Sequence, residues 1–257
     1  MNNVPIPRYD LLEDYNLKNV KTLDILTTKG CPNKCVFCNE NSIWGDFRRK
    51  IPQNIYNEIE YYINKYGIYN FEIVDNAFNL SNGFRKALDL LYNSNIEIKW
   101  GGNCEISHIN EKQILKYIER GLSHCFFGLE SASPKILNLM GKKIDLDKFL
   151  KLLSHLMTAD VRAYLYIMVG FPNETEEDFE KTINFLKINV KYIENIIVSA
   201  FTLMKSSPIF NSNLIKPIAL SPPELNAWTY ETFDGVSHKD RMKRFLLIKK
   251  MWKHINP

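Results

Sequence analysis

The sequence predicts an α/β fold, an open, partial (β/α)6 TIM-like barrel of parallel strands with short N-terminal and C-terminal extensions. Three observations lead there. Six short β-branched or apolar runs alternate with longer amphipathic stretches over residues 22–201, and such alternation calls for parallel strands joined by right-handed crossovers. Six units are too few to close a barrel of eight. Asp75, Cys104, Glu130 and Gly170 fall at or just after the ends of successive strands, the edge where barrels carry their chemistry.

Taken in order, "TLDILTT" (22–28) reads as the first strand and ends at Gly30. "QNIYNEIEYYINKYG" follows as a helix with Ile55, Ile59, Tyr62 and Ile63 on one side. "FEIVD" (71–75) is the second strand, and a helix is expected over 82–94. "IEIKWGG" (96–102) is the third, followed by a helix over 110–119 that ends at Gly121. "HCFFGLE" (124–130) is the fourth, with helical stretches within 133–158. "RAYLYIMVGF" (162–171) is the fifth. The helix over 175–189 then has Thr175 or Asn173 as its N-cap and acids in its first turn. "NIIVSAF" (195–201) is the sixth strand. Beyond it the pattern loosens until a basic amphipathic helix at about 239–254. Residues 1–20 form the N-terminal extension, 21–205 the core barrel and 206–257 the C-terminal extension.

A length of 257 residues with 45% hydrophobic content suits one globular core. The formal charge of +4 is small for that length; it permits an acidic substrate or nucleic acid without arguing for either, and a nucleic-acid partner is not expected. The run Arg241, Lys243, Arg244, Lys249 and Lys250 reads as a solvated helix face. Residues 1–20 lack an apolar core, and no run approaches the ~18 apolar residues of a membrane span. Five cysteines, three of them crowded, do not form a disulfide framework, so a reducing cytoplasm is expected.

The crowded three lie in "KGCPNKCVFC" (29–38), as Cys31, Cys35 and Cys38. Structural zinc takes four ligands, and Cys104, Cys125 or one of five histidines could complete it. A [4Fe–4S] cluster also takes four thiolates as a rule. Three would leave one iron open, which is useful only if a small molecule binds there.

Four stretches carry a resemblance to a known family. "TTKGCPNKCVFC", "FEIVDNAFNLS", "FFGLESASPKILNLMGK" and "YIMVGFPNETEEDFEKTINF" stand in order. They resemble the radical S-adenosylmethionine (radical SAM) superfamily, and the wording is closest to the branch whose members often carry a preceding cobalamin-binding domain. "VPIPRYDLL" (4–12) is similar to the linker after that domain. The resemblance implies a site-differentiated [4Fe–4S] cluster on Cys31, Cys35 and Cys38, with SAM on the open iron. Reductive cleavage of SAM would give methionine and a 5′-deoxyadenosyl radical, which takes hydrogen from a substrate. It also implies an electron donor such as flavodoxin or ferredoxin. Cobalamin is not expected within this chain: either the enzyme does not use it, or a separate protein supplies it, or the chain is a fragment of a longer one.

The resemblance places Phe37 against the adenine, although a core aromatic is the plain reading. Asp75 would accept from the SAM ammonium, or serve as a strand-end turn residue. Glu130 would contact SAM, or sit in a buried ion pair. Ser131 would contact the cofactor or cap the next helix. Gly170 and Pro172 would bring backbone to the adenine edge, or shape an ordinary turn. Cys104, preceded by two glycines, is a candidate hydrogen donor to a substrate radical, or a small buried hydrophobe. Tyr164 and Tyr166 share one strand face, toward substrate or under helices. "KSSPIFN" (205–211) replaces the family's usual Pro-Gly-Thr after the sixth strand. The expected activity is that of a radical SAM enzyme acting on a small metabolite or peptide by methylation, epimerisation or cyclisation. The alternative is a non-catalytic iron–sulfur or zinc scaffold.

Overall fold

The structure is a computed structural model, and it describes residues 1–2, 4–11, 19–220, 227–232 and 236–256. Six strands form one parallel sheet in sequential order. They are β1 (Leu23–Ile25), β2 (Asn70–Ile73), β3 (Lys99–Cys104), β4 (Leu122–Glu130), β5 (Arg162–Val169) and β6 (Asn195–Ala200). β1 and β6 are both edges, so the barrel is open as the alternation predicts.

The crossovers contain α1 (Glu40–Trp44), α2 (Pro52–Tyr66), α3 (Asn82–Asn93), α4 (Glu111–Glu119), α5 (Pro134–Leu139), α6 (Leu146–Thr158) and α7 (Glu176–Ile188). Their ends follow local chemistry. α2 begins on Pro52 and stops at Gly67 in the left-handed conformation. Asn110 with Gln113, and Thr175 with Asp178, form reciprocal capping boxes that start α4 and α7. Thr175 is therefore the N-cap of the helix after β5.

Period-two alternation divides the sheet. Ile73, Cys125, Phe127, Leu129, Leu165 and Ile167 are buried in one core with Ile55, Ile59, Leu88 and Leu152 of the helices. Glu72, His124, Phe126, Tyr164 and Tyr166 take the opposite, concave face and keep partial exposure. Phe126 stacks on Tyr164 at 4.8 Å and on Tyr166 at 6.0 Å. Both tyrosines therefore belong to the concave face.

Two strands depart from the expected spans. β1 stops at Ile25 because the next amides bond elsewhere: Thr27 and Thr28 donate to the Asp75 carboxylate. β3 begins at Lys99, not at residue 96, because Asn95 (φ 56°) and the Ile96 N–H bond to Leu91 O belong to the end of α3.

The region after β6 holds structure that periodicity did not reveal. β7 (Leu203–Met204), β8 (Ile215–Leu220) and β9 (Ala227–Thr232) form an antiparallel sheet in the order β8–β9–β7. Pro217 lies on the edge strand, where the register shifts. α8 (His238–Ile255) then packs Ile248 and Trp252 into the main core. The solvated reading of its basic run holds for Lys243, Lys249 and Lys250. It fails for Arg241 and Arg244, which are 3% and 8% exposed. Arg244 bonds Glu174 through both its carbonyl and Oε2 at 2.8 Å, and Arg241 lies 4.2 Å over the Tyr230 ring.

Candidate active site

At the C-terminal ends of the strands a cavity of about 240 Å³ is bordered by Cys31, Cys35 and Cys38, with Asn103, Glu130, Lys142 and Tyr166. Backbone bonds pin the cysteine loop. Cys38 N–H donates to Cys35 O, Val36 N–H to Met140 O, and Ile209 N–H to Val36 O. Phe37 borders the same cavity and also packs against the smaller core cluster that includes Met140 and Phe171. Burial pushes the Cys35 thiol up to about 11 and raises Cys31 and Cys38 too, while the Lys142 charge pulls Cys35 and Cys38 the other way. The thiols are thus protonated near neutrality unless a metal takes the proton's place.

Glu130 reaches the cavity through a backbone irregularity. The β4–β5 register shifts between Gly128 and Glu130. Glu130 has φ 65°, and the Ser131 N–H bonds back to Leu129 O at 2.8 Å. Such a tight turn at a residue other than glycine stores about 1–3 kcal/mol. It keeps Leu129 in the core and turns the next side chain to the mouth. Burial raises the Glu130 carboxyl, and Lys142 opposes that rise. Lys142 is itself 7% exposed, donates to Gly128 O and stands 3.7 Å from Glu130 Oε1. A Cβ on Gly128 would lie 2.8 Å from the Lys142 nitrogen and 2.9 Å from Glu130 Oε1. Glycine at 128 therefore lets both charges fold into the pocket.

Lys142 had no assigned role in the sequence reading. The signal was present, since it ends the stretch "GLESASPKILNLMGK" that carries Glu130. Asn103 was missed as well. The Tyr166 O–H donates to Asn103 Oδ1 at 3.4 Å, which puts a polar pair on the border of the same cavity as the thiols.

The other expected site residues are spread more widely. Asp75 is 1% exposed and spends its carboxylate on Thr27 N–H (2.7 Å), Thr28 N–H (2.9 Å) and the Thr27 hydroxyl. Ser131 Oγ accepts from Ser133 N–H at 3.1 Å and meets Thr182 Oγ1 at 3.2 Å, tying α5 to α7. Gly170 donates its N–H to Glu174 Oε2 at 2.7 Å and is covered by Arg241. Pro172 is buried in the same turn. None of these four borders the cavity. Cys104 does border it, but burial, and then a hydrogen bond with the free Cys125 thiol, raises its thiol well above the usual value. The room left by the two preceding glycines is taken by the protein itself. A Cβ on Gly101 would strike the His124 ring, and one on Gly102 would strike Ile73 O.

Comparisons with known proteins meet this geometry. The sequence matches the Radical SAM superfamily over residues 25–186. The chain belongs to the radical SAM superfamily. It is 30% identical over 208 residues to an uncharacterized methyltransferase of Pyrococcus horikoshii, covering 78% of this chain and 45% of the relative. It is 26% identical over 199 residues to bacteriochlorophyllide d C-12(1)-methyltransferase of Chlorobaculum tepidum, covering 75% and 43%. In fold it is similar to the radical SAM methyltransferase TsrM of Kitasatospora setae, solved with cobalamin and a [4Fe–4S] cluster. That match has a TM-score of 0.66 and 16% identity, over 87% of this chain and 46% of the other. The chain thus spans less than half the length of these relatives.

The superfamily's cofactors are a [4Fe–4S] cluster and SAM, and the donor set fits them. Three thiols border one cavity, yet among the described residues no three His, Cys, Asp or Glu side chains gather round a single ion. Three cysteine thiols on one cavity are the soft donors that an iron–sulfur cluster takes, and with three of them one iron would be left open to SAM. No helix among the described residues is long and apolar enough to cross a membrane.

Proposed function

We propose that this chain binds a site-differentiated [4Fe–4S] cluster and cleaves SAM, with a small molecule or peptide as substrate. The observation that carries the proposal is the convergence of Cys31, Cys35, Cys38, Glu130 and Lys142 on one cavity at the C-terminal strand ends. When bound, the cluster and SAM supply one-electron cleavage of a sulfonium and a hydrogen-abstracting 5′-deoxyadenosyl radical.

The chain's own residues divide the remaining work. The three thiolates hold the cluster. The Lys142 ammonium offers a buried cation to the SAM carboxylate, and the Glu130 carboxylate offers an acceptor to its ammonium. Phe37 gives an apolar wall beside the thiols. Asn103 and Tyr166 present a donor and an acceptor to the substrate on the concave face. The β4 bulge holds Glu130 in place before any ligand arrives, so little ordering is needed on binding. Free cysteines throughout support a reducing cytoplasm, with flavodoxin or ferredoxin as the electron source.

Methyl transfer is the favoured class of reaction, because both sequence relatives described above carry that name. Cobalamin, where used, would come from outside the residues of this chain. The test is anaerobic reconstitution followed by iron, sulfide and 5′-deoxyadenosine analysis. About four irons and four sulfides per chain are expected, and Cys35→Ala should lose both the chromophore and SAM cleavage. A colourless protein holding one zinc per chain would defeat the proposal.

A further inference from the structure

The loop that carries the thiols has an outer face. After Cys38 the chain forms α1, turns at Gly45 and returns as Arg48–Arg49, paired antiparallel with Thr28–Lys29. The return packs directly on the approach to Cys31, with Asp46 O and Gly45 O against Gly30. This ladder covers the approach to the cysteine loop.

Its chemistry is one-sided. Arg48 and Arg49 are exposed and Lys29 is half-buried. Lys29 lies 4.1 Å over the Trp44 ring, and Arg48 donates to the carbonyls of Trp44 (2.8 Å) and Asp46 (3.2 Å). None of these three cations is in an ion pair among the described residues. The Ser42 hydroxyl donates to Ser206 O at 2.7 Å, which brings the loop of exposed Lys205 beside α1. Of the two acids in this stretch, Glu40 borders the cavity and accepts from Asn76 at 2.8 Å, leaving Asp46 on the surface.

Between the cations the surface is apolar. Ile43, Trp44 and Ile51 are 54%, 40% and 47% exposed. Exposed apolar side chains rimmed by one sign of charge mark a protein contact. The Trp44 ring already carries Lys29 over its face, and Arg48 ties down its backbone carbonyl, so burying it in an interface loses less side-chain freedom.

We propose that this face, α1 with Lys29, Arg48 and Arg49, is the docking surface for an acidic electron-carrier protein that reduces the cluster. The proposal rests on the SAM-cleaving reading above. Position and charge choose the partner. The surface and the three thiols belong to one short loop, and the excess of cations attracts an acidic protein over a basic one. One electron leaves the carrier's reduced flavin or iron–sulfur group and one enters the cluster. No atom crosses the interface.

The test uses oxidised flavodoxin as the probe, with binding read from its flavin fluorescence at low and high salt. The parent chain should bind it, and salt should weaken the complex. Arg48→Glu with Arg49→Glu should weaken binding by roughly tenfold or more at low salt and remove most of the salt dependence. Arg48 also braces Trp44, so the single variant Arg49→Glu provides a second reading. Its side chain makes no hydrogen bond or ion pair among the described residues, and its melting curve should match the parent while binding weakens. SAM cleavage driven by dithionite, a small reductant that needs no docking, should be unchanged in both variants, while cleavage driven by reduced flavodoxin should fall. Failure of flavodoxin to bind the parent, salt-insensitive binding, or equal affinity for parent and variants overturns the docking surface. Dithionite-driven cleavage absent from the parent overturns the SAM-cleaving reading instead, because binding is measured without it.

Discussion

Two loops at the same end of the sheet are built on opposite terms. In the loop after β5, polar groups are matched: the Gly170 N–H meets Glu174, Glu174 meets Arg244, and Asp178 meets Thr175, Ser133 and Lys135. In the cavity formed by the loops after β1 and β4, three thiols sit half-buried, Glu130 holds a strained φ of 65°, and Lys142 stands 3.7 Å from its carboxylate. The first loop is complete without a ligand. The second carries half-buried thiols and loosely matched charge that a bound cluster and cosubstrate would resolve; backbone strain does not separate the two, since Asn173 in the first loop has φ 67°. Stability is therefore concentrated on the β5–α7–α8 side, and ligand dependence on the β1–β4 side.

The comparison breaks most visibly at Arg244. Arg244→Ala strands a buried carboxylate and should cost about 3–5 kcal/mol in urea denaturation. The loss should grow with pH. Burial already pushes Glu174 up to about 7 from 4.5, and removing the guanidinium raises it further. The folded carboxyl then keeps a proton that the unfolded chain has released, so stability falls as pH climbs from 4.5 through the raised value. A loss below 1 kcal/mol at every pH would mean that other contacts hold α8.

Asp75 comes next, because it stands on the border between the two regimes. Asp75→Ala leaves the buried Thr27 and Thr28 amides without their acceptor and should cost about 2–4 kcal/mol. Cluster loading should fall in parallel, since those amides lead into the cysteine loop. A variant that melts like the parent but binds SAM poorly would return Asp75 to the cofactor.

Lys142→Met sharpens the contrast without unfolding the chain. Iron content should stay at the parent level, while SAM affinity measured by calorimetry falls roughly tenfold, as loss of one charge-assisted hydrogen bond implies. Unchanged affinity would leave Lys142 as a tie to the Gly128 carbonyl alone. The smallest effect is a gain. Glu130→Gly relieves the left-handed strain and should raise stability by about 1 kcal/mol while weakening SAM binding. A variant less stable than the parent would show that the Glu130–Lys142 attraction outweighs the strain.

The sequence made much of this legible and left some of it dark for physical reasons. Strand order, helix positions and the Thr175 cap are local signals, and they hold in the structure. The fate of Asp75 depends on amides 48 and 47 residues away, which no local pattern encodes. The bulge that aims Glu130 is a backbone state imposed by packing, so "FFGLES" reads as an uninterrupted strand. Arg241 and Arg244 read as solvated because helix periodicity gives a face but not its neighbour, and Glu174 lies far off in sequence. The antiparallel β7–β9 sheet escaped because Pro217 demotes its run and the strands are short.

The open sheet also has a cost in concentrated solution. Any unpaired strand edge offers a row of N–H and C=O groups to another chain. β1 has only three residues, with charged Asp24 exposed at its centre, and can offer little. β6 is twice as long, and Ile197 at 42% exposure sits in its middle. Of the two edges, β6 is the one more open to pairing with another chain. A lysine substituted for Ile197 would blunt that edge and leave β1 untouched, so light scattering should report a more soluble protein from a single surface change.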